Sequence, residues 1–326
     1  MSQVAIRPEP TPGAGELANG ESRASRLPAG PARGLRRFTS GREFRHPWFL
    51  EGFTWVYLAW SILPIGIAVL FSFNSGKSQN AWQGFSLRWY FTDPVNSVLH
   101  DPTLHAAVIQ TLRLALFTTV ITVPIGVAFA IGIDRWRSRS SSSLNLVMVF
   151  SFVIPELLLA VALFFVFSEL FTFVGLGTMA EVLALTIWNL SWPAIIVRAR
   201  LVTIGRSFEE AASDLGASRI QALRRVLVPM LLPAIFASAV LVFASVIDDF
   251  VIVAQLSSVA GTQPMSVLIY NQSRGGLSGP ALNALATIML VFSLVVAAIG
   301  YVGYRVMTRG ERGASTTEAL TNIAGM

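Results

Sequence analysis

The chain has 326 residues, of which 53% are hydrophobic and only 13% charged, with a formal net charge of +6 and no cysteine. A soluble domain carries roughly 25% charged residues, so an ordinary soluble fold is excluded and an integral membrane protein is implied. Disulfides and thiolate metal sites are excluded as well, and the three histidines, His46, His100 and His105, form no metal-ligand cluster.

Residues 1–45 are rich in Pro, Gly, Ala, Ser and Arg. They cannot bury enough apolar surface to offset ordering entropy, so a disordered, basic cytoplasmic tail is predicted. The first apolar run begins near Trp48, too late for a secretory signal peptide. The tail's arginines, among them Arg33, Arg36, Arg37, Arg42 and Arg45, crowd toward the membrane. They can set topology or touch anionic lipid.

Six apolar segments follow: Phe53–Phe73, Leu114–Ile133, Val147–Phe167, Met179–Val197, Leu231–Leu256 and Ala281–Tyr304. Each is near the roughly 20 residues a helix needs to cross hydrocarbon. The fourth is interrupted by Asn189, Ser191 and Pro193. The runs are continuous rather than alternating, which excludes a membrane barrel. The expected fold is therefore an all-α integral membrane protein with six transmembrane helices, spanning 46–308, with a cytoplasmic tail at 309–326.

Placing both termini in the cytoplasm puts 20 of the 24 Lys and Arg residues on that side. Only Lys77, Arg88, Arg113 and Arg274 fall outside. The basic balance is thus a topology code, and nucleic acid is discounted as a partner. Two outer loops, about 74–113 and 257–280, remain. The first carries Trp82, Trp89, Tyr90 and Phe91, which suit an interfacial belt or a surface for an extracytoplasmic partner.

The inner loop at 200–230 holds "SFEEAASDLGASRIQALRRVLVP". Ser207 with Glu210 fits a capping box, and Ser218 with Gln221 fits a second. Gly216 between them suits a left-handed helix terminus. Two short helices with a sharp turn are predicted, followed by a break or kink at Pro229 and Pro233. The first helix is acidic and alanine-rich, the second basic. A DNA reader would need a globular core behind its recognition helix, and about 30 residues between two spans leave no room for one.

Three acids interrupt the spans: Glu156 in "VIPELLL" and Asp248-Asp249 in "SVIDDFVIV". A charge near a helix centre costs about 2.5–3.5 kcal/mol on insertion scales, so such residues usually face a pathway or each other. On continuous helices, Glu156 lies about 15 Å along the third span and Asp248 about 25 Å along the fifth. Acids at two depths suit an elongated cation. Protonation, or a structural bond to a neighbouring helix, is the plainer alternative. Asp249 points about 100° away from Asp248 and is the weaker pathway candidate.

Glu210-Ala211-Ala212, three residues, Gly216, nine residues and Val226-Leu227-Val228-Pro229 resemble the EAA loop of permease subunits of binding-protein-dependent ABC importers. Valines stand where Ile and Leu are usual. "SFNSGKSQNAWQGFSLRWY", "IPELLLAVAL", "DDFVI" and "NALATIMLV" are similar to segments of spermidine/putrescine permeases, the second-subunit or PotC-like type, in order over residues 50–308. The resemblance implies a type I ABC importer permease fold. It implies a coupling helix formed around Glu209, Glu210, Ala211, Ala212, Asp214, Leu215 and Gly216, seated on an ATPase. It also implies a polyamine path lined by Glu156, Asp248 and Asp249, with Tyr270 as a further aromatic candidate.

The implied partners are a second homologous permease, an ATPase dimer, an extracytoplasmic polyamine-binding protein and membrane lipid, in a bacterial cytoplasmic membrane. The chain itself is expected to be no enzyme and to bind no cofactor. Its Gly76-Lys77-Ser78 has Phe71 where a P-loop needs its first glycine, so ATP and Mg belong to the ATPase. A permease for another small cationic or organic solute stays open. So does an ion-coupled secondary transporter, although no internal repeat is visible.

Overall fold

The computed structural model describes residues 48–78, 81–135, 143, 146, 150, 153–257, 262–274 and 279–324, with side chains up to 308. The tail expected at 1–45 lies outside them. Contacts divide the chain into two units, Met1–Ser61 and Ile62–Met326. The described part of the first unit is the opening of helix α1, Trp48–Ser72, where Thr54 Oγ1 donates to the Leu50 carbonyl. Everything that follows concerns the second unit.

That unit is built from helices. They are α2 (Pro102–Arg135), α3 (Glu156–Phe165), α4 (Thr178–Asn189), α5 (Ser191–Ile204), α6 (Ser207–Asp214), α7 (Arg219–Ala222), α8 (Val228–Asp248), α9 (Val251–Leu256), α10 (Met265–Arg274) and α11 (Pro280–Ala324). Among the described residues, five helical stretches are long and apolar enough to cross a membrane. The third expected segment is described mainly from Val153 on, and its helix begins only at Glu156.

Helix α2 starts twelve residues earlier than its apolar run. Asp101 Oδ1 accepts from the Thr103 and Leu104 amides at 2.7 and 3.4 Å, and Pro102 takes the first helical position. Such a proline loses no hydrogen bond, since that N–H is unpaired in any helix. The last part of the expected outer loop, from Pro102 to Arg113, is therefore helix.

Three apolar clusters are distributed along the helices. One joins Ala130, Val197, Leu201, Leu227 and Leu231. A larger one joins Leu114, Leu185, Val242, Val246 and Ile252. The third gathers Leu104, Met265 and Leu285 around Trp89. In a bilayer, helices gain little from hiding apolar surface from lipid, so close backbone approach matters more. Gly126 supplies it between α2 and α5: a Cβ there would sit 2.5 Å from Pro193 Cγ and 3.2 Å from the Leu190 carbonyl. Gly300 and Gly303 do the same between α11 and α8, against Val240 and Phe236.

The interruption expected in the fourth span is local. α4 and α5 meet at Leu190 and together form one stretch, Thr178–Ile204. The break expected at Pro229 and Pro233 is not found. A π turn at Leu223–Leu227 carries α7 into α8, giving one continuous helical stretch, Arg219–Asp248. A proline cannot donate to the preceding turn, and the widened turn sits immediately ahead of Pro229.

The loop between α1 and α2 is ordered by Asn74 and Trp89. Asn74 Nδ2 donates to the Ser78 and Ala81 carbonyls, and its Oδ1 accepts from the Gln83 amide. Trp89 is buried, and its indole N–H donates to the Asn74 carbonyl at 2.6 Å. Trp89 is thus a structural anchor and not part of an interfacial belt; Trp82 and Phe91 remain exposed.

Candidate functional site

The fifth expected span does not run unbroken to Leu256. Helix α8 ends at Asp248, and Asp249 is extended, with φ −62° and ψ 127°. Neither glycine nor proline stands there. Two sets of bonds hold the break open. Asp249 Oδ1 accepts from the Ile252 and Val253 amides at 3.1 and 3.4 Å, which starts α9. The Asp249 carbonyl, freed from the helix, accepts from Ser266 Oγ of α10 at 2.7 Å. α10 is itself tied to α2, where Thr111 Oγ1 accepts from the Met265 amide.

Glu156 also stands at a break. Pro155 is extended, and Glu156 opens α3. Proline disfavours helix in the residue before it, so Glu156 is the first residue of its helix and not a mid-helix group about 15 Å along. A carboxyl in a first helical turn is favoured by the helix dipole.

Packing of α3 against α9 brings these two acids together. The buried Asp249 carboxyl adjoins that of Glu156, within reach of a shared hydrogen bond. Among the described residues the ion pairs are Arg88–Asp93, Arg135–Asp134 and Arg135–Glu209. None of them neutralises the acid pair. Asp248, the residue favoured on the sequence, turns the other way. It is exposed and accepts from Ser293 Oγ of α11 at 3.2 Å. The structure thus joins Glu156 to Asp249 and sets Asp248 on a separate face.

Tyr270 packs on Phe250 with ring centroids 4.6 Å apart, one residue from the break. Its ring already carries a cation: the Arg274 guanidinium lies 4.8 Å from the centroid. A fourth intramembrane acid escaped the sequence reading. Glu181, on α4, is fully buried, and its Oε2 accepts from Gln110 Nε2 at 3.0 Å. Gln110 also donates to Thr178 Oγ1 at 2.8 Å. A glutamate inside the fourth apolar segment was the available signal.

The other candidate region is the loop after α5. Helix α6 ends as the sequence predicts. Gly216 is left-handed at φ +85°, its amide donates to the Ser213 carbonyl, and the Ala217 amide donates to the Ala212 carbonyl. These are the paired bonds of a Schellman ending. The Ser218–Gln221 capping box is present with both of its bonds.

The first box is not. Ser207 lies inside the helix, Arg206 occupies the cap, and no side chain closes it. Arg206 is held there from a distance, since its Nη2 donates to the Asp134 carbonyl at 2.7 Å. Glu209 turns back toward Arg135, 2.8 Å from its Nε, while Glu210, Ala211, Asp214, Leu215 and Gly216 are exposed. Phe208 and Ile220 add exposed apolar groups beside them.

Residues 122–313 match the family described as "Binding-protein-dependent transport system inner membrane component". The chain is 30% identical over 279 residues to the putrescine transport system permease protein PotI of Escherichia coli K12, covering 82% of this chain and 93% of PotI. It is also 30% identical over 262 residues to the spermidine/putrescine transport system permease protein PotC of the same strain, covering 80% and 96%. A chain of a bacterial ABC transporter that imports the acidic polysaccharide alginate shares the fold, with a TM-score of 0.60 at 15% identity over 80% of this chain and 96% of that one.

Proposed function

The chain belongs to the binding-protein-dependent transport system inner membrane components, and on that premise we propose that it carries polyamines through a path whose recognition centre is the Glu156–Asp249 pair. It is a multi-pass membrane permease subunit. The observation that carries the substrate reading is the meeting of two carboxyls at two helix breaks, with no arginine or lysine among the described residues ion-paired to either of them.

Two adjoining carboxylates repel each other and carry a desolvation cost. A protonated amine placed between them relieves both. In this reading a second amine of the same molecule pairs with Asp248, which accepts from Ser293 of α11. A compact metal ion would leave that third acid unused. The relatives' names, which cite putrescine and spermidine, support the same class.

In this reading the exposed face of α6 and the Gly216 turn seat on a separate ATPase, and both termini lie in the cytoplasm. A second permease completes the path, and an extracytoplasmic binding protein delivers the substrate. ATP is bound and hydrolysed on the ATPase. This chain forms no covalent intermediate: it binds, orients and releases a cation as the helices move. Residues 46–308 form the permease domain.

The test is putrescine and spermidine uptake by vesicles holding the full importer, with Glu156→Gln and Asp249→Asn in this subunit. Uptake should fall while the complex still assembles and its ATPase still responds to the binding protein. Uptake with unaltered kinetics in both variants overturns the assignment.

A further inference from the structure

Arg135 ends α2, and the sequence marks it only as one of many positive charges beside the membrane. Its guanidinium contacts three groups. Nη1 pairs with the Asp134 carboxylate, Nη2 donates to the Gly205 carbonyl at 3.0 Å, and Nε lies 2.8 Å from Glu209 Oε2. Arg206 answers from the other side, donating to the Asp134 carbonyl at 2.7 Å.

The exchange is reciprocal. Each arginine satisfies a backbone carbonyl next to the other arginine, across 70 and 72 residues of chain. Both carbonyls sit at helix ends, where the last turn leaves acceptors unpaired. Arginine suits the position because its planar fork serves several acceptors at once, which a lysine ammonium cannot do in fixed geometry. Arg135, Asp134 and Glu209 are each about one-fifth exposed, so the contacts are not a loose surface pair.

Adjacent acids on α6 thereby take different directions. Glu210 faces outward, while Glu209 points back to α2. α2 also packs along α8, the helix that ends at Asp248.

We propose that Arg135 is a positioning residue that clasps α6 to the end of α2 through Glu209 and Gly205, so that displacement of α6 is passed to α2 as well as along α8. This rests on the reading of α6 as the ATPase contact. Without the clasp, the Arg206 bond to the Asp134 carbonyl still links the α6 cap to α2. Movement of the ATPase is then partly absorbed in the Gly205 and Gly216 turns, and hydrolysis proceeds without transport.

The experiment uses the whole reconstituted importer and measures ATP hydrolysed per putrescine imported. The variants are Arg135→Gln, Arg135→Lys, Glu209→Gln, the double variant Arg135→Gln/Glu209→Gln, and Glu210→Arg as an independent arm. Arg135→Gln should raise the ratio about fivefold, within the range by which single residues alter coupling. Arg135→Lys should fall between wild type and Arg135→Gln. The double variant should be no worse than Arg135→Gln alone, because both changes break one interaction. Should Arg135→Gln fail to assemble, Glu209→Gln keeps the carbonyl bonds and tests the ion pair by itself.

A ratio equal to wild type in assembled Arg135→Gln and in the double variant overturns the clasp. So does a loss confined to the amount of complex recovered, which a merely structural role would give. If Glu210→Arg changes the ratio and Arg135→Gln does not, the clasp falls and the ATPase contact stands. If neither changes it, the reading of α6 falls too.

Discussion

At the loop after α5, the turn and the helix ends are held by paired bonds. Gly216 closes α6, Ser218 opens α7, and Arg135 and Arg206 trade carbonyls with the end of α2. At the breaks beside Glu156 and Asp249, two carboxyls adjoin and the helices are interrupted. One region is built to keep its shape when pushed. The other sets two acids side by side, a conflict that under the proposed function a cationic ligand resolves. On that reading, the contrast separates parts that hold form from parts that trade stability for binding.

The strongest way to break this contrast is to relieve the conflict without removing the cap. Asn caps helices about as well as Asp, so Asp249→Asn should leave α9 intact. Losing one partner of a buried charge contact costs about 2–5 kcal/mol, so the KM for putrescine uptake should rise on the order of 100-fold. Thermal unfolding of the purified subunit should meanwhile shift upward. A lower melting temperature with unaltered KM would show that the acids hold the fold together instead.

A scaffold substitution should behave oppositely. Gly126→Ala places a methyl 2.5 Å from Pro193 Cγ, an overpacking expected to cost roughly 1–3 kcal/mol. The yield of folded protein should drop, while the KM of what survives stays unchanged. Milder still is Gly216→Ala, where φ is +85°. The strain there is about 1 kcal/mol. It should appear as more ATP spent per substrate, with no change in substrate affinity.

The smallest effect is local. Asp93 is held at a pKa of about 2 by hydrogen bonds from the Asn96 and Val95 amides, with Arg88 assisting, against burial that pushes it up. A depressed carboxyl contributes stability that is full above its ordinary value of 3.8 and is lost as pH falls toward 2. The Trp89 indole resonance should therefore hold through pH 5 and shift between about pH 4 and 2. The Asp93→Asn variant should lack that transition.

How much of this was legible in the sequence follows from the range of the forces involved. The Gly216 turn, the Ser218 box and the fold class are set by neighbours in the chain and could be read directly. The Asp101-Pro102 start of α2 was equally local, but it lay outside the apolar run used to mark the span. Ser207 was misplaced because Arg206 is held by Asp134, 72 residues away. The opening at Asp249 has no local breaker: it is made by Ser266 and by the aspartate's own carboxyl. The sequence therefore ranked Asp248 above Asp249, whereas the packing of α9 on α3 sets Asp249, and not Asp248, beside Glu156. Glu181 depends in the same way on Gln110, a partner 71 residues distant.

The continuous stretch Arg219–Asp248 joins these two regions as one helical run. Thirty residues at 1.5 Å each span about 45 Å, and a hydrogen-bonded helix hardly compresses along its axis. Under the proposed coupling it acts as a push-rod, and a shift imposed at Arg219 reaches Asp248 with little loss of amplitude. Only the π turn at Leu223–Leu227 offers some give. Transport along this line is then a single stroke rather than a relay, and rapid kinetics should resolve no state in which one end has moved and the other has not.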